Sequence, residues 1–100
     1  MLHSPVALRQ LAEVERFNMF IVYSIYNKDH DKFYIGQTFD LEARIKEHNN
    51  KAFRGYTSRF DGEWQLIYKE MVATRQEALK REKQLKSYQG REFIKKYIPR

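Results

Sequence analysis

Two hydrophobic stretches near the middle of the sequence, MFIVYSIY (19–26) and KFYIGQ (32–37), decide the fold. Both are rich in β-branched and aromatic residues, which is typical of β-strands. Only the polar segment NKDHD (27–31) separates them, and its composition is typical of a turn. Strands joined by so short a connection pair antiparallel, so this region predicts a β-hairpin.

The residues after the hairpin predict a helix, a loop and a third strand. Thr38 to Asp40 offer caps for a helix that runs to about His48. A polar, basic loop is expected over 51–63. The segment WQLIYKEMV (64–72) then alternates in hydrophobicity as a strand does.

Two further helices are expected near the C-terminus. Thr74 and Glu77 have the spacing of a capping box, which predicts a helix that continues to about Ser87. Gly90 is expected to break the helical pattern, and a short last helix is expected over Arg91 to Ile98.

The predicted fold class is α+β, a three-stranded antiparallel sheet flanked by helices in the order ββαβαα, with an extra N-terminal helix. Ser4 and Pro5 can begin that extra helix. We therefore divide the chain into an N-terminal helical extension, 1–17, and a single domain, 18–100, because 100 residues leave no room for a second core. A homodimer contact is the expected use of the extension.

The composition excludes several classes of protein. The chain has no cysteine, which rules out disulfides, thiol nucleophiles and cysteine-bound zinc, and we expect a cytoplasmic protein. No stretch is long and apolar enough to suggest a membrane span. The four glycines are isolated, so the sequence contains no glycine-rich phosphate loop.

The positive charge is concentrated in the last quarter of the chain. The formal net charge is +6, and residues 75–100 hold nine Lys or Arg against three Glu. Such a block attracts polyanions such as nucleic acids. A solvated, charged helix face is the alternative interpretation of the same pattern.

Glu82 breaks the pattern of its helix. At about 100° per residue, Glu82 falls between Ala78 and Leu85, in the only apolar stripe of the predicted helix. A carboxylate in that place must be paired, bound to a metal or catalytic, because burying an unpaired one is costly. The plain alternative is a salt bridge to Arg75, Arg81 or Lys86.

Arg44 and His48 lie one turn apart and touch the inward stripe of the middle helix. Each also has a structural interpretation: His48 as a partly buried histidine at a helix end, and Arg44 as a surface residue whose stem covers apolar area. In the hairpin, Tyr23 and Tyr34 lie on strand faces where a buried hydroxyl needs a partner. Gly36 suggests a close approach of the backbone or of a ligand.

Together these residues resemble the GIY-YIG nuclease family, and most of all its small single-domain members, which are similar to the N-terminal nuclease domain of the UvrC repair endonuclease. The likeness covers about 19–98 and is carried by FYIGQTFDLEARIKEHN (33–49) and TRQEALKREKQLK (74–86). Its motif residues, in order, are Tyr23, Tyr34-Ile35-Gly36, Arg44, His48 and Glu82. Some family nucleases have an asparagine twelve residues after the glutamate, where this chain has Ile94.

The resemblance implies a divalent-metal-dependent endonuclease that hydrolyses DNA phosphodiester bonds, with Mg²⁺ or Mn²⁺ as cofactor and DNA repair or recombination as the process. It makes Glu82 the metal ligand and a catalytic residue, together with Tyr23, Tyr34, Arg44 and His48. Gly36, Gln37 and Lys83 are expected to contact the nucleic acid.

The implied mechanism assigns Tyr23 to orienting or deprotonating the attacking water. Because an ordinary tyrosine pKa is about 10, this role requires nearby cations to lower the pKa of Tyr23. Two rival functions use the same features. One is a nucleic-acid-binding module that has the fold without turnover, and the other is a protein-interaction domain that uses the helix of residues 1–17.

Overall fold

The computed structural model of the protein describes residues 19–52 and 54–99. The predicted N-terminal helix, and with it the predicted homodimer contact, lies outside the described residues. Within these residues, three strands form one antiparallel sheet: β1 (Phe20–Asn27), β2 (Lys32–Thr38) and β3 (Trp64–Val72). The strand order is β2-β1-β3, so the first strand of the hairpin is the central one.

The helices surround this sheet as the order ββαβαα predicts. They are α1 (Leu41–Asn49), α2 (Arg75–Lys86) and α3 (Tyr88–Lys95). The Asp40 carboxylate accepts a hydrogen bond from the backbone N–H of Ala43, and the Thr74 hydroxyl accepts one from that of Glu77. Side-chain caps therefore begin α1 and α2 where the sequence predicts, and the α+β fold class is confirmed.

The predicted break at Gly90 is wrong. The chain turns at Ser87, which has an extended backbone and whose hydroxyl accepts a hydrogen bond from the Gly90 N–H. Gly90 lies inside α3. A larger residue would not fit there, because a Cβ would come within 2.2 Å of the Gln84 carbonyl oxygen. The glycine is needed for the close packing of α2 and α3 and does not end a helix.

The loop between α1 and β3 is more ordered than its composition predicts. It contains a 3-10 turn at Tyr56–Arg59. The Ser58 hydroxyl donates to the Gly55 carbonyl oxygen, at 2.7 Å, and accepts a hydrogen bond from the Gly55 N–H. The turn is therefore braced by its own side chain.

Alternate residues of β1 enter two hydrophobic clusters, because successive side chains of a strand point to opposite faces. Val22 packs with Ile35 and with residues of α2 and α3. Tyr23 and Ile25 pack with Trp64, Leu41 and other residues on the opposite face. The sheet is thus covered on both sides.

No helix within the described part of the chain has the length and apolar character needed to cross a membrane.

Candidate active site

A buried chain of three polar side chains crosses the face of the sheet that α1 covers. The Tyr23 hydroxyl lies 2.8 Å from His48 Nε2, and His48 Nδ1 lies 2.8 Å from the Thr57 hydroxyl. Each of the three residues is at most 2% exposed. The central strand, the last turn of α1 and the 3-10 turn each supply one member, so the chain forms only in the folded protein.

Tyr34 lies beside this chain on β2. Its ring centre is 5.0 Å from that of His48 and 6.3 Å from that of Tyr23. Tyr34 is only half-buried, so it is the member of this aromatic group that reaches the surface.

Gly36 provides the space in which the two tyrosines meet. It pairs directly with Tyr23 in the sheet and shares a face with Tyr34. A Cβ at this position would lie 2.9 Å from both the Tyr23 hydroxyl oxygen and Cε2 of Tyr34. The groups that come close to Gly36 are thus the two tyrosine side chains, and its predicted contact with nucleic acid stays a prediction.

His48 is neutral at physiological pH. Burial, reinforced by the positive charges of Arg44 and Lys51, lowers the pKa of His48 from 6.5 to about 4. A neutral imidazole carries one N–H, so one ring nitrogen donates and the other accepts. With the proton on Nδ1, His48 donates to Thr57 and accepts the Tyr23 hydroxyl hydrogen; the opposite tautomer reverses both bonds.

Burial raises the pKa of Tyr23 far above its ordinary value. The neighbouring Tyr34, Glu82 and Glu47 raise it further, and Arg44 acts in the opposite direction. The side chains therefore do not meet the condition that a general-base role sets for Tyr23, since desolvation of the phenolate outweighs the charge of Arg44. Tyr23 stays a protonated phenol.

Arg44 projects from α1 beside this group. Its guanidinium lies 3.5 Å from the Glu47 carboxylate. Its positive charge lowers the pKa of both Tyr23 and His48. A guanidinium in this position can offer several N–H donors to an anion.

Glu82 reaches the same region from α2. Its Oε2 lies 2.6 Å from the Lys86 ammonium, and that ammonium lies 5.9 Å from the centre of the Tyr34 ring. The Glu82 side chain is 21% exposed, and its charge raises the pKa of Tyr23. The salt bridge to Lys86 is thus one of the alternatives that the sequence left open, and it coexists with a position next to the tyrosines.

The donors near Glu82 fit a hard divalent cation that keeps most of its water. Among the described residues, no group of three or more His, Asp or Glu side chains could hold a metal ion. Mg²⁺ is commonly bound by one or two carboxylates together with water and substrate phosphate. A single carboxylate at the border of the core matches that requirement and does not match a zinc site.

Two of the predicted nucleic-acid contacts lie away from the tyrosines. Gln37 pairs with Val22 and so points to the sheet face opposite Tyr23, where its side-chain oxygen is buried without a hydrogen-bond partner in the described part of the chain. Lys83 is exposed and lines a groove of about 800 Å³ between α2 and α3, together with Lys80 and Gln84.

Position 94 has become part of the core. Ile94 is fully buried against Val22, Ile35 and residues of α2. The polar residue that some family nucleases carry at this place is therefore replaced by a packing residue, and Ile94 contributes no group to the site.

Thr57 and Tyr56 were missed by sequence reasoning. Thr57 is the buried partner of His48, and the Tyr56 ring lies nearly parallel to that of Tyr34, with centres 6.5 Å apart. Both residues lie in the 3-10 turn, where no periodic pattern of hydrophobic residues indicates which side chains point toward the core. The aromatic residue inside a basic loop was the one available signal.

The chain is similar to several known proteins. A UPF0213 protein of Staphylococcus saprophyticus is 38% identical over 74 residues, covering 74% of this chain and 88% of that protein. One of Staphylococcus epidermidis is 37% identical over 62 residues, covering 62% and 74%. The solution NMR structure of a UPF0213 protein from Bacillus halodurans is 29% identical and covers 76% of this chain and 81% of that one, with a TM-score of 0.46.

The family model described as the GIY-YIG catalytic domain matches residues 19–97, which include the three strands and all the residues of the site described above. The chain belongs to the GIY-YIG family.

Proposed function

We propose that this protein is a divalent-metal-dependent endonuclease that hydrolyses phosphodiester bonds in DNA, in repair or recombination. The observation that carries the proposal is that residues of β1, β2, α1 and α2 come together at one place. Tyr23, Tyr34 and His48 are in contact, and the charges of both Arg44 and Glu82 act on the Tyr23 hydroxyl. Membership of the GIY-YIG family supports a nuclease-type activity.

Arg44 and Glu82 have the charges that phosphodiester cleavage requires. The Arg44 guanidinium donates hydrogen bonds to the non-bridging oxygens, where negative charge increases in the transition state. Glu82 would hold the metal, and Mg²⁺ or Mn²⁺, when bound there, would supply Lewis-acid stabilisation of the leaving 3′-oxygen.

The proposal assigns the attacking water to Tyr34 in place of Tyr23. Tyr34 is half-buried and so can contact water, whereas Tyr23 is 1% exposed. Tyr23 and His48 act as positioning residues: their hydrogen bond fixes the surface against which Tyr34 packs. Because the pKa of Tyr23 is raised and that of His48 is lowered, Tyr23 stays a phenol and His48 stays a neutral imidazole, so neither exchanges a proton with the substrate.

Nicking of supercoiled, flapped and branched DNA tests the proposal. Wild type is expected to nick in Mg²⁺ or Mn²⁺ and to stop when EDTA is added. Glu82→Gln and Arg44→Ala should each lose about 100-fold or more in rate, because the first removes the carboxylate that would hold the metal and the second removes the cationic donor to the phosphate. Glu92→Gln is the matched control, since Glu92 on α3 is also paired with a lysine, 2.8 Å away, but lies outside the site.

Cleavage that survives in both Glu82→Gln and Arg44→Ala would overturn the assignment of the site. A nucleic-acid-binding module without turnover is the second candidate, and the Glu82–Lys86 salt bridge favours it because a metal must compete with the ammonium. That alternative predicts salt-sensitive DNA binding, weakened by Lys83→Ala in the α2–α3 groove, with no nicking in either metal.

A further inference from the structure

Tyr56 is an exposed aromatic ring at the border of the candidate active site. Its ring lies nearly parallel to that of Tyr34, at an angle of 18°, and its centre is 5.2 Å from that of Phe60. These two neighbours support the ring, yet 40% of Tyr56 remains exposed. The exposed part of the ring is apolar surface on which a planar ligand can pack.

The backbone that carries Tyr56 is held firmly in place. Thr57, the next residue, is buried and hydrogen-bonded to His48. Gly55, the preceding residue, is tied to Ser58 by hydrogen bonds in both directions. The ring is therefore presented in a defined position relative to Tyr34, and little side-chain entropy is lost when a ligand contacts it.

The loop around Tyr56 is positively charged. Residues 51–60 include Lys51, Arg54 and Arg59 and contain no Asp or Glu. Arg54 and Arg59 are exposed, and Lys51 is near enough to the site to lower the pKa of His48. Cations that flank an exposed aromatic ring are the combination with which proteins bind single-stranded nucleic acid: the charges follow the backbone and the ring stacks on a base.

We propose that Tyr56 stacks on an unpaired nucleobase of the substrate, next to the phosphodiester bond at the candidate active site. The inference rests on the proposed function and narrows it: the preferred substrate is DNA with a single-stranded segment at the cleavage point, such as a flap or a branch. Paired bases of an intact duplex cannot reach the ring without first unstacking, which costs free energy. Stacking is tolerant of sequence, so the site selects structure and not a particular base.

Binding measured without metal tests the role of Tyr56 separately from cleavage. Fluorescence anisotropy in EDTA compares one single strand with the duplex of the same sequence. Tyr56→Ala is expected to weaken binding of the single strand by about 5- to 150-fold, which is the loss of one stacked base, and to leave duplex binding unchanged. Tyr56→Trp should bind the single strand at least as tightly as wild type.

Tyr88→Ala is the matched control, because Tyr88 is also a tyrosine, is 79% exposed and lies on α3. A 2-aminopurine base in the strand adds a direct readout, since stacking on an aromatic ring quenches its fluorescence. Quenching is expected with wild type and with Tyr56→Trp, and its loss is expected with Tyr56→Ala. Tyr56→Leu retains apolar packing against Phe60, and so separates loss of stacking from damage to the loop.

Equal losses on single strand and duplex in Tyr56→Leu would show a purely structural role and overturn the inference. So would unchanged single-strand binding in Tyr56→Ala. If wild type fails to nick any DNA but Tyr56 still discriminates single strands, the proposed nuclease function fails and the stacking site stands. If wild type nicks DNA and Tyr56→Ala binds the single strand as tightly as wild type, the stacking site fails and the proposed nuclease function stands.

Discussion

The two faces of β1 differ in what they contribute. On one face Val22 packs against Ile35, Ala78, Leu85 and Ile94, and the contacts are apolar. On the other face Tyr23, the very next residue, is hydrogen-bonded to His48, which in turn contacts Thr57. Both faces are buried. The first contributes apolar packing, and the second combines apolar packing with a chain of hydrogen bonds that fixes the positions of its polar side chains.

This difference shows how a small domain can carry a site without a large cleft. Apolar packing is non-directional and tolerates small shifts, whereas a buried hydrogen-bonded chain must have every member in place. The α2–α3 face therefore anchors the sheet, and the Tyr23 face uses that rigid support to hold polar groups. Substitutions on the two faces should consequently change different measurable properties.

The largest effect on stability is expected for Leu85→Ala. Leu85 is fully buried, and its truncation leaves a cavity that lowers the free energy of unfolding by about 2–5 kcal/mol. Leu79→Ala on the same helix is the control, because Leu79 is 50% exposed. Urea denaturation measures both changes, and equal losses in the two variants would contradict the assignment of the α2–α3 face as the anchor.

An acid-sensitive contribution to stability is expected from His48, on the Tyr23 face. The pKa of His48 is about 4 in the folded protein against an ordinary value of 6.5, so the unfolded chain binds more protons between these pH values. The free energy of unfolding therefore falls as the pH drops from about 6.5 to 4, by about 3 kcal/mol in total, and is independent of His48 above that window.

Urea denaturation across this range, in wild type, Leu85→Ala and His48→Gln, checks the assignment. The slope with pH should be the same in wild type and in Leu85→Ala, since Leu85 belongs to the other face. In His48→Gln the slope should be reduced by the histidine contribution. An unchanged slope in His48→Gln would mean that His48 titrates alike in the folded and unfolded states.

A smaller loss of stability, with a larger loss of activity, is expected for Gly36→Ala. The added Cβ would meet the Tyr23 hydroxyl and the Tyr34 ring at 2.9 Å, so both rings must shift. Overpacking of this kind costs about 1–3 kcal/mol. Since the displaced groups form the proposed site, the nicking rate should fall even under conditions where the Gly36→Ala variant remains fully folded.

Gly55→Ala serves as the matched control, because a Cβ at Gly55 has no atom within 4 Å. Thermal denaturation and the nicking assay, run on both variants, separate steric displacement from a general effect of alanine. If Gly36→Ala nicks at the wild-type rate, the space between the two tyrosines has no part in the activity.

Local signals in the sequence account for much of the fold. The hairpin is short and rich in β-branched residues, and Asp40 and Thr74 cap their helices, so tertiary contacts and local preference agree. The position of Gln37 was also readable from the sequence: it follows Gly36 in a strand, and alternation places it on the face opposite the tyrosines.

Long-range contacts account for what local signals could not predict. Thr57 meets His48 through a loop whose path has no periodic pattern. Gly90 has the composition of a helix breaker, and only the crossing of α2 and α3 explains its place inside a helix. The raised pKa of Tyr23 follows from the depth of its burial, which a sequence does not specify.

The sequence by itself determined the strands, the principal helices, the concentration of positive charge and the ordered set of motif residues, because each depends on neighbours along the chain. Only the tertiary structure decided which of these residues touch. In the folded protein Tyr23 and His48 are buried, and Glu82 forms a salt bridge with Lys86. Tyr56 remains exposed and lies beside Tyr34. Burial and hydrogen bonding depend on distances between distant segments, and those distances exist only once the chain has folded.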